Sequence, residues 1–156
     1  ALDLSEEDLL ARSRALGHSL GAAVALDFAN RYGSDQVIAI SPFTTMAEMA
    51  RRTVGPWGAW ILTHRYDNVT SIDEILASER DVEITIFHGE DDRLIPAEMG
   101  RALADQDEEG ATIEFIPVAD AGHNDIIYRI LPRLVEKIGD PIGNGASGNS
   151  SLPGAP

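Results

Sequence analysis

Short apolar runs bounded by turn residues alternate along this chain with segments of helical periodicity, and that alternation restricts its fold more than any other feature. Gln36-Val37-Ile38-Ala39-Ile40 is a short run, apolar after Gln36, suited to a strand buried in a parallel sheet, and Pro42 ends it. Residues 82–88 and 111–118 read as further strands, and residues 14–16 as a short, weakly apolar one. Between them, residues 20–32 carry Leu20, Val24, Ala25 and Phe28 at helical spacing, with Gly33 as a C-terminal stop. Residues 96–106 fit a helix with Pro96 in its first turn, and residues 125–138 a last helix. Short helices are expected over 3–12, 45–52 and 71–78. Strands alternating with helices predict an α/β domain: a parallel sheet with right-handed crossovers and an active site at the carboxyl ends of its strands.

Composition excludes several functions. With 12 basic and 26 acidic residues, a formal charge of -14, the chain lacks the clustered cations that a nucleic acid or an anionic membrane surface needs. The absence of cysteine removes a disulfide scaffold, a thiol nucleophile and thiolate metal sites. No two histidines have the helical spacing of metal ligands and the carboxylates are scattered, so neither metal nor cofactor is expected. No apolar run approaches the roughly 20 residues of a membrane-spanning helix. The opening ALDLSEEDLLARS is too acidic and polar for a signal peptide, which gives a cytoplasmic expectation. The chain starts without Met and so reads as a fragment or a processed product, in which case an upstream signal would be missing too. The Gly-, Ser- and Pro-rich residues 139–156 are expected to be a disordered tail, leaving 1–138 as the domain.

Three segments carry chemistry. GHSLG (Gly17 to Gly21) sits between a strand and a helix, where a sharp turn exposes a serine Oγ and the helix N-terminus favours negative charge. Ser19 is the candidate nucleophile and the N–H of Leu20 the first oxyanion donor, while Gly17 and Gly21 leave room for the turn and for strand–helix packing. HGEDDRLIP (His88 to Pro96) follows a strand and offers a carboxylate to orient an imidazole; on spacing alone Asp91 and Asp92 both qualify. DAGHND (Asp120 to Asp125) places His123 in a glycine-flanked loop, suited to a general base. Singly, each could be an ordinary turn, an acidic loop and a surface histidine. In the order Ser, Asp, His, at three strand ends, they form a set.

These segments resemble conserved blocks of the α/β-hydrolase superfamily, most closely its compact branch of Bem46-like and serine aminopeptidase-type hydrolases. SPFTTMAEMA (Ser41 to Ala50) is similar to the segment after the sixth strand in that branch, and the likeness covers roughly residues 14–138. It implies that Asp92 is the acid, His123 the base and Ser19 the attacking group, in cleavage of an ester, thioester or amide of a small-molecule acyl substrate. It also implies a truncated α/β-hydrolase fold, with about the last four strands of a larger sheet and their flanking helices. The strand before the elbow would then lie at an exposed edge, partly covered by residues 1–12. Residues 43–78 correspond to a lid-like insert in which Met46, Met49, Trp57, Trp60 and Leu62 either line an acyl pocket or pack on the sheet. His18 is the variable residue of the elbow, His88 supports the acid loop and His64 lies in the insert. Two other readings stand beside the enzyme. One is a catalytically silent fragment. The other is a half-domain completed by a partner chain, whether a complementing N-terminal half or a second copy.

Overall fold

In a computed structural model, which describes residues 5, 9–10, 13–55, 66–78 and 80–139, four strands form one parallel sheet. They are β1 (Arg14–His18), β2 (Gln36–Ile40), β3 (Glu83–Gly89) and β4 (Ile113–Val118), and they lie side by side in chain order. Five helices accompany them: α1 (Leu20–Tyr32), α2 (Met46–Val54), α3 (Asn68–Ala77), α4 (Ala97–Ala104) and α5 (Ile126–Gly139).

Side chains of neighbouring strands alternate between two apolar layers, as the pleat dictates. Val37 and Ala39 of β2 and Ile84 and Ile86 of β3 point to one face, where they meet Ala22, Ala25, Leu26 and Ala29 of α1, Ile72 and Ile75 of α3, and Leu103 of α4. Ile38, Ile40 and Phe87 point to the other face, where Ile126, Ile130 and Leu134 of α5 cover them. The three alanines on that side of α1, Ala22, Ala25 and Ala29, keep the helix close to the sheet. All five residues of β2 are buried, which explains its apolar run.

β1 is an edge strand among the described residues. Leu16 pairs with Ile38 and therefore shares its face, yet it lies beyond α5 and is 47% exposed. Of the helix expected over 3–12 only Ser5, Leu9 and Leu10 are described, so whether it covers that edge lies outside the described residues.

Several boundaries differ from the sequence expectation for local reasons. β1 runs on to His18 because its backbone stays paired with β2 up to Ile40. α3 begins three residues early, since the Asp67 side chain accepts from Thr70 N at 3.1 Å and caps the helix. β4 begins late because Asp107 takes the amides of Thr112 and Ile113 at 2.7 and 2.8 Å. Pro96 is extended and precedes α4 rather than opening it. The tail expected from 139 lies outside the described residues, except for Gly139, which ends α5.

The stretch between β2 and α3 has a closed base. Met46 N bonds to Tyr66 O, Asn68 N bonds to Thr44 O, and Thr45 and Asp67 form an isolated antiparallel bridge. The Asn68 side chain adds a bond to Phe43 O at 2.7 Å.

Candidate active site

All three non-glycine residues with positive φ among the described residues, Ser19, Ser41 and Asp120, lie within two positions of a strand's carboxyl end. Backbone strain of this kind persists only where surrounding structure enforces it, and it gathers at functional sites. Ser19 has φ 57 and ψ -120 and sits between β1 and α1. Two bonds hold it there: its N–H donates to Ile40 O at 2.9 Å, and its carbonyl accepts from Ala22 N at 3.0 Å. Leu20 N–H opens α1 and has no acceptor within the helix, so it remains available for an anion. Ser41 follows β2, is fully buried, and its Oγ has no partner among the described residues.

The two glycines of the elbow are not equivalent. A Cβ on Gly17 would lie 2.0 Å from Gly21 O, whereas one on Gly21 meets nothing within 4 Å. Both were expected to leave room for the turn and the packing; the close approach is at Gly17, where the backbone of α1 passes directly over it.

Asp92 is buried, and each of its carboxylate oxygens has work to do. Oδ1 accepts from Leu94 N and Ile95 N at 2.9 and 2.8 Å, and Oδ2 lies 2.7 Å from His123 Nδ1. Asp91 is exposed and contributes its backbone N–H to Ala121 O. The structure thus brings Asp92, not Asp91, to His123. A carboxylate only accepts, so Nδ1 of His123 carries the proton and Nε2 keeps its lone pair.

The loops bearing Asp92 and His123 touch through a second glycine. A Cβ on Gly89 would lie 2.3 Å from Ala121 O, so the HG of HGEDD lets the histidine loop approach β3. Beyond it, Asp125 Oδ1 accepts from Gly122 N at 2.8 Å and starts α5. His88 lies beneath the acid loop, fully buried, and its Nε2–H donates to Ile95 O at 2.8 Å. Its Nδ1 faces the backbone of Gly100, where a Cβ would intrude to 2.3 Å. Burial pushes the His88 pKa down, so the ring is neutral and supports the loop as expected.

His18 also belongs to the site, although as the variable elbow position it had no expected role there. Its Nε2 is 2.9 Å from His123 O, and the two rings lie 4.7 Å apart, tilted by 37°. This contact joins the His123 loop to the elbow through the residue that precedes Ser19. The sequence signal was faint, because a single side chain reaching a carbonyl 105 residues away leaves no periodicity.

Met46 and Met49 are half-buried and, with Tyr66, pack on a cluster of Ala23, Phe43, Ile95 and Met99. Ala23 lies one helical turn from Ser19 and Ile95 is in the acid loop, so this apolar layer adjoins the elbow. Trp57, Trp60, Leu62 and His64 lie outside the described residues. Among the described residues no group of three or more His, Cys, Asp or Glu is placed to hold a metal, and no helix is long and apolar enough to cross a membrane.

No protein-family model matches the chain. The alpha/beta hydrolase domain-containing protein 17B of Homo sapiens and that of Xenopus laevis are each 31% identical to it over 130 residues. The match takes 82% of this chain, which spans only 42% of those relatives. Among solved structures, an esterase of Pyrococcus furiosus superposes with a TM-score of 0.64 at 14% identity, over 82% of this chain and 52% of its own. A puromycin-hydrolyzing peptidase of Mycobacterium tuberculosis gives 0.65 at 12% identity, over 85% and 22%. The capsule O-acetyltransferase of Neisseria meningitidis serogroup A gives 0.59 at 18%, over 87% and 58%. At such identities the solved structures speak for the fold, and the curated relatives add a likeness in sequence. Together with the four-stranded parallel sheet and its helices, they make this chain a relative of the α/β-hydrolase superfamily.

Proposed function

We propose that Ser19, His123 and Asp92 are the nucleophile, base and acid of a serine hydrolase that cleaves a carboxylic ester, thioester or amide. The observation that carries this reading is the 2.7 Å contact between Asp92 Oδ2 and His123 Nδ1, made by a histidine whose carbonyl is tied to the residue preceding Ser19. Ser19 Oγ attacks the acyl carbon while His123 Nε2 takes its proton. Asp92 holds the imidazole in the required tautomer and stabilises the cation that forms. Leu20 N–H donates to the oxyanion. Collapse of the tetrahedral species returns the proton to the leaving group, and water releases the acyl group from Ser19 by the same steps. By their place in the sequence, Met46, Trp57 and Trp60 are the residues we assign to the acyl portion of the substrate.

The test is covalent labelling of the chain by a fluorophosphonate. Label should appear on Ser19 and vanish in Ser19→Ala; label that persists in Ser19→Ala, or never forms on the wild type, would sink the reading.

The exposed edge favours a second reading, in which the isolated chain is silent until another chain completes its sheet. Leu16, Leu20 and Val24, at 47%, 50% and 47% exposure, lie on or beside β1. Under this reading, labelling would require the complementing chain and would be absent without it.

A further inference from the structure

We infer that His18 is a positioning residue for His123, acting through the hydrogen bond from its Nε2–H to the His123 carbonyl and through contact between the two rings. The inference rests on His123 being the general base, and it concerns what keeps that base in place.

His123 stands in a loop after β4, at the far side of the sheet from the elbow after β1. Two strands separate them, and the loop must reach across to bring an imidazole to Ser19. Asp92 fixes the ring at Nδ1, and Ala121 O and Gly122 N are held by Asp91 N and the Asp125 side chain, but none of these contacts reaches the elbow. The link to the elbow comes from the elbow itself. His18 ends β1 and is the residue before Ser19, and its Nε2 lies 2.9 Å from His123 O. A carbonyl only accepts, so Nε2 carries a proton and the donor is defined. With ring centroids 4.7 Å apart, the His18 ring also walls one side of the His123 imidazole. Nucleophile and base are thereby tied through adjacent residues, and the backbone of the His123 loop is anchored to the strand that carries Ser19.

The electrostatics agree with this role. Burial, and after it the neighbouring His123 ring, push the His18 pKa below the ordinary histidine value. His18 is therefore neutral near pH 7, and no cation stands beside His123 when it takes up the proton of Ser19. The hydrogen bond to the His123 carbonyl, and after it the charge of Asp92, oppose this shift without reversing it.

The experiment compares two variants of the full chain. His18→Gln keeps an N–H donor at about the reach of Nε2, and His18→Phe keeps the ring but removes the donor. Two quantities are read: the rate of fluorophosphonate labelling, and the exchange lifetime with water of the His123 Nδ1–H proton, observed by NMR and assigned by its loss in His123→Gln. In His18→Phe both should fall by on the order of tenfold to a hundredfold, the cost of a base displaced by a fraction of an ångström to an ångström. In His18→Gln both should stay within a few-fold of wild type. Unchanged values in His18→Phe, or an equal loss in His18→Gln, would overturn the inference. Should the wild-type chain never label, the proposed reaction falls while the proton lifetime still decides the role of His18. Should His18→Phe fail to fold, nitrogen chemical shifts of the wild type decide: His18 protonated at Nε2 and bare at Nδ1 supports the inference, and the opposite tautomer ends it.

Discussion

The carbonyl oxygen of Gly21 occupies the space in which a side chain on Gly17 would begin, 2.0 Å from where its Cβ would stand. The obstacle is helix backbone, which cannot rotate aside as a side chain could. Gly17→Ala should therefore force β1 and α1 apart, at a cost of about 2–4 kcal/mol. Gly21→Ala meets open space in the first turn of a helix and should be neutral or gain up to about 1 kcal/mol. Urea denaturation of the two variants beside wild type checks the contrast. Equal midpoints would contradict it.

Asp92 has no spare oxygen, and that makes Asp92→Asn informative. The amide can keep its oxygen on Leu94 N and Ile95 N, which turns its NH2 toward His123 Nδ1. The imidazole must then accept at Nδ1 and hold its proton at Nε2, the tautomer that cannot take a proton from Ser19. Labelling of Ser19 should slow by on the order of a thousandfold to ten-thousandfold, with the fold preserved by circular dichroism. A variant that labels within tenfold of wild type would remove Asp92 from the acid's role.

Stability should depend on pH through His88. Its pKa in the folded chain lies below the ordinary value because burial disfavours the charged ring. Between that lowered pKa and the ordinary value near 6.5, the unfolded chain binds more protons than the folded one. Stability is then complete above the ordinary value and declines as pH falls through this window. The urea midpoint of wild type should drop between about pH 7.5 and pH 5.5, and the drop should be smaller in His88→Gln, whose amide can donate to Ile95 O but does not titrate. His18, lowered for the same reason, retains its share of the slope in that variant. An identical slope in both proteins would show that His88 does not contribute.

Arg80 closes the C-terminal end of α1. Its two terminal nitrogens donate to Ala29 O and Asn30 O at 3.1 Å each, and Gly33 N also reaches Ala29 O. A cation at the negative end of a helix dipole, bonded to carbonyls of its last turn, contributes about 1–2 kcal/mol. Arg80→Ala should lower the Tm by roughly 2–8 °C without affecting labelling, which takes place at the opposite end of α1. Scanning calorimetry measures the first and the fluorophosphonate rate the second.

The fold was legible because its signals are local. The buried run of β2, the spacing of Leu20 to Phe28 and the stop at Gly33 each lie within one element, and the structure places those elements where the pattern put them. Boundaries set by a single side chain, such as the Asp107 carboxylate on β4 or Asp67 on α3, were not legible, since nothing in the periodicity announces a cap that binds three to six residues away. The same divide runs through the site. The glycine-flanked motifs marked Ser19, the HGEDD loop and His123, and the family resemblance separated Asp92 from Asp91. The bond from His18 to His123, the backbone contact at Gly89 and the strained Ser41 are relations between distant segments, and they emerge only when the sheet brings strand ends together.

The bridge between Thr45 and Asp67 closes the chain between them at its base. That chain departs and returns at one clasp, on a frame made of β2 and α3, while Ser19, Asp92 and His123 stand on other loops. Just past the clasp, Met46 and Met49 of α2 rest on Ala23 of α1 and Ile95 of the acid loop, so the clasped segment shares one apolar layer with the elements that carry Ser19 and Asp92. A change of volume in that layer is felt on both sides of it, by the clasped segment and by the footing of the two proposed reacting groups.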